Sequence, residues 1–278
     1  MAALRLAMPH PVDRMSANTR RSLADCVAAS LDAEPALLPH LPYLLQDLDA
    51  LGAPVDEVLQ ALAAAGLQAP ARVLDLGCGK GCVARAIAKA IGASVLGVDA
   101  VPEFIAEARR RAAHEQLASL CEFRVEDIRL TLDREKEAFD AVVLVAVSKV
   151  LGDPVDAARA ARRAVRPGGL VLVHDAGLSN AAAPPAGYEG YRPVSEIRAG
   201  LTCQGDAVVV EQSSPGEDSH ATNRGHYAAI SRRAAELDAR RPELHDLLKA
   251  YLARQLEESA AEGAVVESRT WVIRKAPA

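Results

Sequence analysis

The sequence predicts an α/β fold built on a doubly wound parallel sheet, and three observations carry that expectation. Arg72-Val-Leu-Asp-Leu-Gly-Cys-Gly-Lys-Gly81 is an apolar strand running into a glycine turn. Val95-Leu-Gly-Val-Asp99 is a second strand ending in an acid, and short apolar runs alternate with amphipathic stretches from there to Val173. A buried strand, a glycine turn opening a helix, and a second strand closed by an acid are how such sheets hold an adenosine-containing cofactor.

Glycine spacing narrows the cofactor. A dinucleotide turn has glycines at its first and third positions and glycine or alanine at its sixth, so that a pyrophosphate can rest on the helix N-terminus. Counted from Gly77 the sixth position is Cys82, and the glycines fall at 77, 79 and 81, directly after Asp75. A carboxylate here repels a pyrophosphate and suits a cation. That favours S-adenosylmethionine, which carries an ammonium and a sulfonium and no phosphate. Lys80 is followed by glycine and not by serine or threonine, so the turn is not a triphosphate loop either.

The elements follow in order. Residues 1–69 are expected to form a helical leader, with helices over 20–31, over 37–51 with an interruption near Pro39 and Pro42, and over 56–65. In the third, Val58, Leu59 and Leu62 share a face and Gly66 supplies the stop. The leader either covers the open side of a cofactor cleft or pads the first strand. Val83, Ile87 and Ile91 should face inward from the next helix, and Phe104, Ile105, Ala108 and Leu117 mark the one after it. Strands are expected near 122–125, over 139–145 and over 170–174, with a helix over 156–165 whose arginines face water. From Gly177 to Pro193 the chain reads as a long loop carrying Tyr188 and Tyr191. A helix over 194–201, a strand over 207–211, helices over 220–240 and 243–262 and a last strand over 265–273 complete the reading. Residues 70–278 are taken as one domain, in which 176–262 hold a substrate loop and cap.

Residues 70–175 resemble a class I S-adenosylmethionine-dependent methyltransferase. More loosely, the whole chain resembles a bacterial group of such enzymes without an assigned acceptor, through the leucine-rich leader, Val98-Asp-Ala-Val-Pro-Glu-Phe104, Val150-Leu-Gly-Asp153, Tyr251-Leu-Ala-Arg-Gln-Leu-Glu-Glu258 and Thr270-Trp-Val-Ile-Arg-Lys275. The resemblance implies a seven-stranded Rossmann-like sheet closed by an antiparallel last strand, with S-adenosylmethionine as cofactor. It implies cofactor contacts from Asp75, Gly77, Gly79, Gly81, Asp99 and Ala100, from Asp127 and Ile128 around the adenine, and from Val145 and Ala146 at the end of the fourth strand.

Methyl transfer asks mainly for in-line placement and exclusion of water. A base becomes useful when the acceptor is an alcohol or carbon acid. His174, at the end of the fifth strand, and His226 are the candidate catalytic residues, with structural packing as the competing reading of each. Tyr43, Tyr188, Tyr191, Tyr227 and Arg254 are candidates to line the acceptor. No metal is expected, because Asp175 alone at a strand end does not supply several converging oxygen ligands. A binding module without catalysis, and a protein or RNA methyltransferase, are the alternatives.

Composition sets outer limits. Half of the 278 residues are apolar, yet no run is long enough to cross a bilayer. A net charge of -5, with Arg and Lys interspersed among acids, leaves no nucleic-acid footprint. The opening lacks the ordered regions of a secretory signal, so a cytoplasmic protein acting on a small molecule is expected, as a possible homodimer. Cysteines at 26, 78, 82, 121 and 203 do not form a paired framework, and Cys78 and Cys82 lack the further ligands of a metal site.

Overall fold

The computed structural model describes residues 22–179, 184, 188, 190–213, 216–261 and 265–277, with side chains left out of the description at 216–221. Five strands run parallel: β1 (Arg72–Leu76), β2 (Ser94–Asp99), β3 (Cys121–Val125), β4 (Phe139–Val145) and β5 (Val165–Leu178). With β6 (Ala207–Ser213) and β7 (Val266–Arg274) they form one seven-stranded sheet in the order β3-β2-β1-β4-β5-β7-β6, β7 lying antiparallel to both neighbours. The order reverses between β1 and β4, and in such sheets the crevice beyond the strand ends at that point takes the ligand.

Helices on both faces explain why the central strands are continuous apolar runs. In β4, Ala141 and Val143 point to one core and Val142 and Leu144 to the other, all fully buried. The first core is closed by α3 (Val55–Ala64), α4 (Cys82–Ile91) and α5 (Pro102–His114), through residues such as Leu62, Ile87 and Ile105. The second is closed by α6 (Ile128–Arg134), α7 (Pro154–Ala161) and α8 (Val194–Leu201), through Leu132, Val155 and Ile197.

A third cluster joins the two additions to the sheet. The leader contributes α1 (Leu23–Ser30), a 3₁₀ turn (Pro35–His40) and the single-turn α2 (Leu41–Leu44). Its Leu37, Leu41, Leu44 and Leu48 pack with Phe104 and with Ile230, Leu237 and Tyr251 from α9 (Gly216–Arg240) and α10 (His245–Ala261). Leader and late helices thus share one apolar seam.

Several boundaries differ from the sequence reading for identifiable reasons. The helix expected over 37–51 is a 3₁₀ turn followed by one α turn, because Pro39 and Pro42 withhold backbone donors. The helix expected from 156 starts two residues earlier, where Asp153 accepts from the N–H groups of Val155 and Asp156, both at 2.9 Å. It ends before Val165, which opens β5. β5 continues to Leu178 because β7 pairs along it as far as Leu178↔Val266. That takes Gly177 out of the expected loop, and residues 180–183, 185–187 and 189 of that loop lie outside the described residues. Leu117 is buried beyond the end of α5, and Ile91 is only half-buried. His226 and Tyr227 sit in the middle of α9.

Candidate active site

After β1 the chain turns through Gly77, Gly79 and Gly81, all at positive φ (71°, 51° and 72°). The turn is also tightly enclosed. A Cβ on Gly77 would lie 2.6 Å from Val147 Cγ2, and one on Gly81 would lie 2.6 Å from Phe123 Cε1, so both positions demand glycine for backbone and for space. Asp99, ending β2, holds the turn in place: Oδ2 accepts the Gly79 N–H and Oδ1 the Val101 N–H, each at 2.9 Å. Burial raises the Asp99 carboxyl above its ordinary range. Asp75, 2% exposed, is pushed up to about 7 by burial and then by the Asp99 charge, and its Oδ2 has no hydrogen-bond partner. An unbonded buried carboxyl oxygen costs free energy in the free protein and marks a place for a donor or cation.

Asp75, Gly77, Gly79, Asp99, Ala100, Asp127, Ile128, Val145 and Ala146 all line one cavity, which the fold brings together from four strand ends. Gly81 stands behind its wall as the residue preceding α4. Asp127 is partly committed, capping α6 through the Arg129 N–H at 2.9 Å and pairing with the Arg129 guanidinium at 2.7 Å. The opposite wall is the leader, through Leu23, Val27, Ser30, Asp49 and Leu51. It leaves a space of about 120 Å³, less than the few hundred typical of ligand pockets.

Two groups hold the leader there, and the sequence reading missed both. Lys80, 4% exposed, reaches out of the glycine turn to donate to the carbonyls of Leu45 and Leu48 at 2.6 and 2.8 Å. Asp49 is gripped by Arg85 at 2.9 Å and Arg111 at 2.8 Å. A lysine inside a glycine turn that meets no phosphate was the available signal for the first. The second depends on contacts between helices far apart in sequence.

A second cavity of about 700 Å³ lies across a shared partition. From α1, Val27 and Ser30 face the first cavity while Ala29 faces the second; after β4, Val147 faces the first and Ser148 and Lys149 the second. Lys149 Nζ meets Asp32 at 2.7 Å on the second-cavity side of that partition. Asp175 of β5 (just past the last residue paired with β4), Tyr191, Arg192, and Tyr251 and Arg254 of α10 complete the walls. Burial raises Asp175 and Tyr251, and it lifts Glu258, beside Arg254, to about 7 with help from a hydrogen bond to Asp32.

The expected acceptor residues divide. Tyr191 and Arg254 come together in the second cavity, and the Tyr188 ring stands 5.2 Å from that of Tyr191 without joining its walls. Tyr43 is engaged elsewhere: its hydroxyl donates to Glu236 Oε2 at 2.6 Å and its ring lies by Arg233 and Arg240, fixing the leader on α9. His174 is not brought to either cavity. It is 8% exposed, its Nδ1 is 2.9 Å from Thr270 Oγ1 on β7, and burial lowers it to about 4. Neighbours on a strand point to opposite faces, so Asp175 reaches the cavity where His174 does not. His226 and Tyr227 are half-buried on α9 and line neither cavity. Among the described residues, no group of three or more His, Cys, Asp or Glu side chains is arranged to hold a metal ion.

Fold and site together define an α/β protein with a crevice bearing two buried carboxylates at the β1 and β2 ends. Residues 73–169 match the family model described as a methyltransferase domain. The ubiquinone biosynthesis O-methyltransferase of Xylella fastidiosa (strain M23) is 32% identical over 168 residues, 60% of this chain and 63% of that protein. The match thus spans less than two thirds of that curated relative's length. Among solved structures, the S-adenosylmethionine-dependent methyltransferase from Thiobacillus denitrificans in complex with S-adenosyl-L-homocysteine superposes with a TM-score of 0.70 at 20% identity, covering 84% of this chain and 97% of that one. The corresponding protein from Geobacter sulfurreducens gives 0.67 at 20% identity, over 82% and 92%. Residues 73–169 are thus similar to a methyltransferase domain, and the fold around them is the one shared by these S-adenosylmethionine-dependent methyltransferases. Among the described residues no helix is long and apolar enough to cross a membrane.

Proposed function

We propose that the protein methylates a small molecule held in the second cavity, using S-adenosylmethionine bound in the first and releasing S-adenosylhomocysteine. The observation that carries this reading is the unbonded Asp75 carboxyl beside Asp99 at a glycine turn that has no room for side chains. Two buried carboxylates form a site for a cation and a poor one for a pyrophosphate. In this reading Asp75 and the Gly77 and Gly79 backbone receive the methionine part and Asp99 the ribose, while Asp127 and Ile128 flank the adenine. Val145 and Ala146 stand beside the cofactor, next to the partition. When bound, the cofactor supplies a methyl group already activated on a sulfonium.

What remains for the chain is placement and dryness. Residues 1–69 act as the cover of the cofactor crevice, residues 70–278 as the methyltransferase domain, and residues 176–262 contribute the wall that bears Tyr191 and Arg254. The net charge of -5 supports a small metabolite over a nucleic acid, in a cytoplasmic setting. No base is assigned to His174 or His226. Thermal melts with S-adenosylhomocysteine, S-adenosylmethionine and NAD test the cofactor. At one hundred times its Kd a ligand adds about 2.7 kcal/mol, a rise of roughly 5 to 10 °C in Tm for a domain of this size. A shift with NAD and none with the adenosyl compounds would refute the reading.

A further inference from the structure

We propose that the second cavity takes a small organic amine as its ammonium, with Asp175 as counter-charge and Tyr191 and Tyr251 as aromatic walls. The inference rests on reading this cavity as the acceptor site and adds the chemical class of its ligand. The walls carry five carboxylates, on Asp32, Glu34, Asp153, Asp156 and Asp175, against three cations, on Lys149, Arg192 and Arg254. Each of those cations already meets a carboxylate: Lys149 meets Asp32 at 2.7 Å, Arg192 meets Asp153 at 3.2 Å and Arg254 meets Glu258 at 3.3 Å. Asp156 is held by Arg159 at 2.8 Å, and Glu34 is exposed.

Asp175 is different. Its Oδ1 accepts the N–H of its own neighbour Ala176 at 2.8 Å and the Ser148 N–H also acts on the carboxyl, but among the described residues no cation reaches it within ion-pair distance, Lys149 acting on it only from further away. The buried Ser148 hydroxyl faces the same carboxyl and completes no well-formed hydrogen bond. An anionic ligand would bring a second negative charge to a desolvated carboxylate, whereas an ammonium offsets the cost of burying it. The tyrosines favour the same charge. Lys149 Nζ already stands 6.0 Å from the centre of the Tyr191 ring, a geometry in which aromatic faces attract cations.

Benzylamine, benzyl alcohol and benzoate present one ring with a cationic, a neutral and an anionic head. Calorimetry on the protein saturated with S-adenosylhomocysteine should show benzylamine binding at least tenfold more tightly than benzyl alcohol, and benzoate not at all. Asp175→Asn keeps an acceptor for the Ala176 N–H and should erase the preference while leaving the affinity for benzyl alcohol unchanged and without lowering Tm. Tyr191→Leu should weaken benzylamine several-fold, and Glu243→Gln, an exposed carboxylate outside the cavity, should leave the preference intact. Preference for benzoate, failure of all three probes to bind, or an amine preference that survives Asp175→Asn would overturn the proposal. Methyl transfer to benzylamine is read separately, because the bound ammonium must give a proton to the Asp175 carboxylate before its nitrogen has a lone pair to accept a methyl group. Asp175-dependent binding without transfer upholds the amine site and removes its role as acceptor pocket, and the melts with adenosyl ligands report on the cofactor site alone.

Discussion

Asp75 costs the free protein stability in a form that pH can reveal. Its carboxyl sits at about 7 when folded against an ordinary value near 3.8, so between those values the folded state binds more protons than the unfolded state. Stability attributable to this group is therefore present below about pH 4 and is lost as pH rises to 7. Asp75→Asn should flatten that slope and stabilise the cofactor-free protein at pH 7.5 by about 2 to 4 kcal/mol, while weakening S-adenosylmethionine. Urea melts at pH 5 and 7.5 measure it, and an unchanged slope would exclude Asp75 as the source. Asp99 has a structural role as well, because its carboxylate accepts two backbone N–H groups. Asp99→Ala should lose roughly 1.5 to 3 kcal/mol of cofactor affinity, measurable by calorimetry, and should also lower Tm, because the Gly79 and Val101 N–H groups lose their acceptor. The sequence identified Asp75 and Asp99 because local spacing encodes them. It favoured His174 over Asp175 because the two are adjacent on one strand, and only the alternation of strand side chains, fixed by pairing with β7, separates them.

The proposed cover role of the leader makes a prediction about cofactor entry. With Leu51 against Gly79 and the crevice reduced to about 120 Å³, that role requires the leader to shift before the cofactor enters. Lys80→Met should free it by leaving the Leu45 and Leu48 carbonyls without their donor, at a cost of about 2 to 4 kcal/mol in urea melts. Stopped-flow measurements should then show faster association of S-adenosylhomocysteine; unchanged association with lowered stability would mean the leader does not gate entry. Other elements were legible to different degrees. β4 and α8 have the expected bounds, the first because burial on both faces leaves a continuous apolar run, the second because its amphipathic face is flanked by proline and polar residues. The extent of β5 was hidden. His174-Asp175-Ala-Gly reads as a strand end, and only the partner strand nearly a hundred residues on carries it further.

Across the whole molecule, burial sorts the five cysteines. Cys203 is exposed, Cys82 is half-buried on the first cavity with its thiol raised to about 11, and Cys26, Cys78 and Cys121 are buried. An aromatic disulfide reagent should therefore modify Cys203 first and Cys82 slowly, with S-adenosylhomocysteine protecting Cys82 alone. The other three should react only on unfolding, and fast native reaction of more than two thiols would contradict the packing. β5 divides the second cavity mechanically as well. Past His174 the strand leaves β4 but stays paired with β7 through Asp175↔Arg269, Ala176↔Ser268 and Gly177↔Glu267. Amide hydrogens from β5 that bond to β7 should then exchange only with global unfolding, whereas those of α1 exchange through a smaller, local opening. Deuterium uptake would resolve the two classes, and a bound acceptor should slow α1 without altering β5. The charge that anchors an acceptor would thus stay fixed to the sheet each time the cover lifts, so a ligand already seated keeps its orientation while cofactor is exchanged above it.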